Sequence, residues 1–169
     1  MAKEMVLTFV EGRDAGVTAR AVLLEGQAPK TCAAVWACLP IAVTAGHGAY
    51  SGTIVGVRLP PEVIVSEENA TTCVQTGDVM FTHYEPNTRH GYPAGLSEIY
   101  WAYDRYARPH VPGQWVPAIA NVFARIIGEP ADFYAVCRRI QQEGLKLIEI
   151  RRADDLTTPA ATADHRQRL

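Results

Sequence analysis

The sequence predicts a mainly β fold, a closed or nearly closed antiparallel β-barrel of about eight strands with two capping α-helices. Three observations lead to this prediction. Short apolar runs separated by Gly, Pro and Asn recur along the middle of the chain, as in an all-β domain. Only two segments have helical periodicity, and two helices cannot cover both faces of a large parallel sheet. A closed barrel buries two such helices economically.

The size and composition of the chain fit one globular domain. Its 169 residues are 48% hydrophobic and 20% charged, which excludes a disordered or collagen-like chain. The net charge of −2 offers no basic surface for nucleic acid, and no apolar stretch is long enough to span a membrane. Because the N-terminus lacks a signal-peptide pattern, we expect a cytoplasmic protein. The four cysteines lack zinc-site spacing and are expected to be free, mostly buried thiols.

The chain begins with a hairpin and a helix. Residues 5–10 and 17–24 alternate as strands on either side of a turn rich in Gly and Asp. Pro29 falls in the first turn of a helix, where its missing N–H costs nothing, and Pro40 ends that helix. An apolar stripe at i, i+3, i+4 and i+7 consists of Cys32, Val35, Trp36 and Leu39.

The middle of the chain has the pattern of short strands and long loops. Two longer segments, 84–95 and 104–118, are too broken by proline to be helices or central strands and are predicted as loops. The apolar runs predicted as strands are residues 41–44, 52–59, 63–65, 79–82, 99–103 and 121–127.

A second helix and a last strand complete the domain. Pro130 opens the helix, Gly144 ends it, and residues 145–150 alternate as a strand. The apolar stripe of this helix consists of Phe133, Val136, Cys137 and Ile140. We therefore predict a barrel domain over residues 1–152, followed by a flexible C-terminal tail over the polar, aperiodic residues 153–169.

Several segments carry, in chain order, a resemblance to cyclophilins: Ala28-Pro29-Lys30-Thr31 before a helix, Gly52-Thr53-Ile54-Val55, and Asn121-Val122-Phe123-Ala124-Arg125. With Glu67-Glu68-Asn69, Gly77-Asp78-Val79 and Ser97-Glu98, the chain is similar to an uncharacterised bacterial family of cyclophilin-like proteins that has diverged from the true prolyl isomerases. The resemblance implies a cyclophilin-like barrel.

The isomerase pocket that the resemblance implies is matched only in part. In cyclophilins an Arg on the strand after Gly-Thr donates to the prolyl nitrogen. Val57 stands at that position here, and Arg58 follows one residue later, on the opposite face of the strand unless a bulge redirects it. Trp115 keeps the spacing of the pocket Trp, whereas Ala120 stands where the pocket His is expected. Arg58 is therefore the catalytic candidate of an alternative function, a peptidyl-prolyl isomerase using Arg58 and Trp115.

Aromatic and polar side chains concentrate around the two loops. Tyr and Trp combine a large rigid face with a hydrogen-bonding tip, as ligand pockets require. We therefore expect a soluble module that binds a small metabolite or a peptide, without a cofactor. The predicted ligand-binding residues are His47, Tyr50, His83, Tyr84, Glu98, Tyr100 and Trp115.

Two further alternatives use the same residues. His83, His90 and Glu98 are a metal-ligand set by residue type, which suggests a small-molecule enzyme with a His/Glu site. Their spacing does not fix two of them on one strand face, and we expect no metal. The exposed aromatics would also suit the interface of a homo-oligomer.

Overall fold

The computed structural model of the chain describes residues 2–88, 93–110 and 116–157. The strands in this part of the chain are β1 (Glu4–Phe9), β2 (Thr18–Leu23), β3 (Ile41–His47), β4 (Ile54–Leu59), β5 (Ala70–Thr71), β6 (Asp78–Tyr84), β7 (Leu96–Ala102), β8 (Ala120–Ile127) and β9 (Lys146–Arg152). Eight of them form an antiparallel barrel in the order β2-β1-β9-β3-β4-β7-β6-β8, closed by pairing of β8 with β2. The short strand β5 pairs with β8 outside the barrel. The predicted fold class is confirmed.

The strands around the candidate site bury side chains on both faces. Val55 and Val57 of β4 belong to the main core inside the barrel, together with Trp101 of β7. On the outer face of the same strands, Ile54 and Tyr100 belong to a second, smaller apolar cluster, which includes residues of neighbouring loops. The outer face of β4 and β7 is therefore partly covered, and the space left beneath the loops forms the candidate site.

The two predicted helices are α1 (Pro29–Cys38) and α2 (Ala131–Glu143). Pro29 is the first residue of α1, and Gly144 ends α2 with a positive φ of 87°. Helix α2 packs Phe133 against the ring of Phe9 at a centroid distance of 5.0 Å. Trp101 donates a hydrogen bond from Nε1 to Cys137 Sγ at 3.2 Å. Helix α2 therefore buries its whole predicted apolar stripe on the barrel core. In α1, Cys32 and Val35 are buried, whereas Trp36 is only partly buried.

A buried carboxylate joins the first hairpin to the C-terminal part of the barrel. Asp14 is 3% exposed and accepts hydrogen bonds from Arg139 Nη2 at 2.5 Å and Lys146 Nζ at 2.7 Å. The hydrogen bond from Lys146 is the main reason that the pKa of Asp14 lies below its usual value, against the opposing effect of burial. The same contact raises the pKa of Lys146.

One predicted strand is wrong, and one short strand was not predicted. Residues 63–65 form no strand; Val63 and Val65 pack against the core from an extended connection instead. Strand β5 was missed because two residues carry no periodicity. Of the predicted tail, Ala153–Thr157 forms a 3₁₀ turn, and residues 158–169 lie outside the described residues.

All four cysteines are free, with Cys32 and Cys137 buried, Cys38 half-buried and Cys73 exposed. Neither helix of the described residues has the length and apolar character needed to cross a membrane.

Candidate functional site

A cavity of 630 Å³ lies against the outer face of β4 and β7. The strand register sets its floor, because Gly56 lies opposite Tyr100 and Arg58 lies opposite Glu98 in an antiparallel pair. Side chains alternate along a strand, so these four residues share the outer face while Val57 points into the core. We call this space the main cavity.

Six of the predicted site residues line the main cavity: His47, Tyr50, Arg58, Tyr84, Glu98 and Tyr100. They come from β3, the connection after it, β4, β6 and β7. Tyr50 is 66% exposed at the mouth, whereas Tyr100 is 9% exposed on the floor. The structure therefore brings together residues that are up to about fifty positions apart in the sequence.

Arg58 lies on the face that the resemblance did not lead us to expect. Val57, at the position expected for the cation, is 2% exposed and packs in the main core. The pairing of β4 with β7 runs without a register shift from Ile54 to Leu59, so no bulge is needed to turn Arg58 outward. Arg58 is exposed, lines the main cavity and lies directly across from Glu98.

Gly56 creates the room that Tyr100 occupies. A Cβ at position 56 would lie 2.7 Å from Tyr100 Cβ and 2.9 Å from the carbonyl oxygen of Ile99. Real Cβ atoms do not approach their neighbours so closely, so only glycine permits this packing. Gly56 is not among the predicted site residues, although a glycine inside a strand is a recognised signal of close approach.

The connection from β3 to β4 forms a rim that is tied to the loop after β7. Ser51 accepts a hydrogen bond from His110 N at 3.2 Å through its hydroxyl and from Arg108 N at 2.9 Å through its carbonyl. Gly52 has a φ of 66°, and a Cβ there would overlap the carbonyl oxygen of Tyr106. These contacts bring His110 to the cavity wall, a placement that no sequence pattern indicated.

His47 has partners for both ring nitrogens. Its Nδ1 lies 3.0 Å from the carbonyl oxygen of Gly48, so that nitrogen carries the hydrogen. Its Nε2 lies 2.8 Å from the hydroxyl of Tyr103, whose pKa is raised by burial. His47 is therefore a positioned wall residue whose nitrogens are already engaged.

A second cavity of 300 Å³ adjoins the main cavity, with Tyr84 and Ala118 lining both. It lies beside the end of β6, where the pairing with β8 stops at Phe81. His83 lines this second cavity and not the main one, because it shares the inward face of β6 with Phe81. Of these two predicted ligand-binding residues, Tyr84 therefore lines both cavities and His83 lines the second cavity alone.

Two members of the proposed metal-ligand set, His83 and Glu98, line different cavities. His83 faces inward on β6, whereas Glu98 faces the main cavity from β7. Within the described residues, no three His, Cys, Asp or Glu side chains are close enough to hold one metal ion. His90 and Trp115, the remaining predicted residues, lie outside the described residues.

The acidic segment Glu67-Glu68-Asn69 has a structural role. Glu68 accepts a hydrogen bond from Thr31 N at 2.5 Å, in the first turn of α1. Asn69 donates from Nδ2 to the carbonyl oxygen of Val122 at 2.7 Å. Of the three residues, only Glu67 lines the second cavity.

Comparison with known proteins adds a family and a fold. The family model described as "Protein of unknown function (DUF3830)" matches residues 11–151. The solution structure of the hypothetical protein AF2241 from Archaeoglobus fulgidus is similar, with a TM-score of 0.51 and 19% identity over 90% of this chain and 95% of that one. The structure of McbB in complex with tryptophan has a TM-score of 0.58 and 16% identity. That match covers 92% of this chain and 46% of McbB. No curated protein matches the chain. At these identities the two structures support the fold alone.

Proposed function

The chain belongs to the DUF3830 family of proteins of unknown function, and we propose that it is a cyclophilin-like module that binds a small metabolite or a peptide in the main cavity. The observation that carries the proposal is the convergence of six predicted residues, from five parts of the chain, on one cavity of 630 Å³. Known ligand pockets have volumes of about 300–1,000 Å³ and combine apolar walls with a few placed polar groups.

The chemistry of the lining suits a ligand with a flat or apolar body and polar ends. Tyr50, Tyr84 and Tyr100 offer aromatic faces with hydroxyl tips, and Arg58 and Glu98 bring opposite charges to the same floor. Such a lining orients a ligand through both stacking and charge-assisted hydrogen bonds.

A thermal-shift screen against metabolites and short peptides tests the proposal. Tryptophan, which is bound in the McbB structure, belongs in the library. A ligand that binds only the folded state raises the melting temperature. We expect a hit whose shift is lost in Tyr50→Ala and kept in Tyr106→Ala. The two tyrosines are 66% and 63% exposed, and only Tyr50 lines the cavity.

Equal loss of the shift in both variants, or in neither, would contradict the proposed site. Because both side chains are mostly exposed, neither substitution is expected to change the stability of the unliganded protein by more than about 0.5 kcal/mol.

Peptidyl-prolyl isomerisation is the second candidate, and the outward position of Arg58 favours it. Rotation about an X–Pro bond has a barrier of about 18–20 kcal/mol, which a cation near the prolyl nitrogen lowers by stabilising the twisted bond. A proline-peptide assay should then show activity that falls at least about tenfold in Arg58→Gln and in Trp115→Phe. Arg20→Gln is the matched control, because Arg20 pairs with Glu4 away from both cavities. Absence of activity in the unmodified protein would refute this candidate and leave the binding proposal standing.

Self-association stays a prediction, supported by apolar side chains near the cavities. Leu145 at the main cavity is 72% exposed, and Val116 at the second cavity is 65% exposed. Sedimentation velocity at two protein concentrations tests it: a monomer at both would contradict a homo-oligomer.

A further inference from the structure

We propose that the second cavity is a subsite for a protonated amine of the ligand, with the ammonium group donating a hydrogen bond to His83 Nε2. Because the two cavities share Tyr84 and Ala118, this subsite rests on the proposed function and extends it to the chemistry of one end of the ligand.

The hydrogen-bond chain behind His83 fixes which of its nitrogens can accept. Ser97 Oγ lies 2.7 Å from the carbonyl oxygen of Val63, and a carbonyl only accepts, so the single hydroxyl hydrogen of Ser97 points there. Ser97 must then accept the hydrogen of His83 Nδ1, at 2.9 Å. In the neutral ring, Nε2 is left with a lone pair.

That lone pair lacks a partner within the described residues. The His83 side chain is 7% exposed and lines the second cavity. His83 Nε2 is a buried atom without a hydrogen bond from any described residue. Buried polar atoms are nearly always paired, so an unpaired acceptor beside a cavity indicates a missing polar partner.

The charges around the second cavity favour a cation as that partner. Glu67 lines the cavity, and Glu85 Oε1 lies 3.7 Å from His83 Nε2. No lysine or arginine of the described residues lines it. The side-chain amide of Asn121, which also lines this cavity, already donates both of its hydrogens, from Nδ2 to Thr31 Oγ1 and to the carbonyl of Ser66. An ammonium group supplies three donors and a positive charge, which match the unpaired nitrogen of His83 and the nearby carboxylates.

Nuclear magnetic resonance of the ¹⁵N-labelled histidine rings tests the subsite with small probes. At pH 8, above the usual titration range of an imidazole, butylammonium chloride, butan-1-ol and sodium butyrate are titrated separately. A butylammonium ion keeps its charge at this pH, as a lysine side chain does. We expect the Nε2 resonance of His83 to move with butylammonium and to stay in place with butan-1-ol and butyrate. The spectrum of His83→Asn assigns that resonance.

Two substitutions of His83 distinguish the role of the Nε2 acceptor from that of the hydrogen bond between Nδ1 and Ser97. The amide nitrogen of Asn reaches the position of Nδ1 and keeps the hydrogen bond to Ser97, whereas the terminal amide of Gln reaches the position of Nε2. We expect His83→Asn to weaken butylammonium binding about tenfold or more and His83→Gln to weaken it less.

Three results would each overturn the amine subsite. The Nε2 resonance of His83 could stay in place with butylammonium, or it could move equally with butan-1-ol. The affinity for butylammonium could also be unchanged in His83→Asn. Because the resonance that disappears in either His83→Asn or His83→Gln identifies His83, the first two outcomes can be read in the wild-type protein even if one variant fails to fold. The proposed function can survive any of these three results. If the thermal shift caused by a library ligand is lost in Tyr50→Ala, the main cavity binds that ligand without an amine subsite.

Discussion

Replacing Gly56 by alanine tests the packing that shapes the main cavity. The new Cβ would lie 2.7 Å from Tyr100 Cβ and 2.9 Å from the carbonyl oxygen of Ile99. Neither neighbour can rotate away, because one is the first side-chain atom of a floor residue and the other belongs to the paired strand β7. The strands must therefore separate by several tenths of an ångström, and overpacking of this kind costs about 1–3 kcal/mol.

Gly26→Ala is the matched control. A Cβ at Gly26 meets nothing within 4 Å, and its φ lies outside the positive range. Gly→Ala at a compatible position stabilises by about 0.4–1 kcal/mol, because it reduces the freedom of the unfolded chain. Both variants share this gain, so the difference between them isolates the clash at position 56.

Urea denaturation measures the difference. With a slope of about 2 kcal/mol per molar urea, a cost of about 2 kcal/mol lowers the midpoint of Gly56→Ala by about 1 M relative to Gly26→Ala. We also expect the ligand-induced thermal shift to shrink in Gly56→Ala, since Tyr100 must move. Equal midpoints for the two variants would refute the close approach of β4 and β7.

Two further predictions concern buried titratable groups. The depressed pKa of Asp14 stabilises the fold fully above the unfolded-state pKa of about 3.9, and this stabilisation is lost as the pH falls through the lower folded-state value. In urea denaturation at pH 7 we expect Asp14→Asn to be about 2 kcal/mol less stable than wild type. Below about pH 4 the variant should lose less stability than wild type does. Parallel profiles of unfolding free energy against pH for the two proteins would contradict this. Burial raises the pKa of Cys137 to about 12, so a thiol reagent at pH 8 should label exposed Cys73 and spare Cys137 until the protein unfolds. Labelling of both at equal rates in the native protein would contradict the packing of α2.

The sequence was sufficient to predict the helices, whose apolar residues recur with clear helical periodicity. Both helices have an apolar stripe at helical spacing next to a proline and, for α2, a closing glycine, and both were predicted within a few residues. Residues 63–65 show why strands are harder: Val63 and Val65 alternate because they are partly buried, and burial does not require a paired strand. Alternation of apolar residues in a sequence therefore indicates which side chains are buried. It does not show whether the segment pairs with another strand.

The direction of Arg58 could not be derived, for a related reason. Inner Val57 and outer Ile54 are both buried, so alternation along β4 does not say which face is the inside of the barrel. The resemblance supplied Val57 as the reference position, but Val57 packs in the core and the cavity-facing cation is Arg58. Likewise, His110 reaches the cavity through hydrogen bonds to Ser51, fifty-nine positions away, which leave no local pattern.

A crystal structure with a hit from the ligand screen tests the central claim most directly. We expect the ligand in the main cavity, in contact with Tyr50 and Tyr100 and within hydrogen-bonding distance of Arg58 or Glu98. A ligand bound elsewhere on the barrel, with the outer face of β4 and β7 empty, would contradict the assignment of this cavity as the functional site.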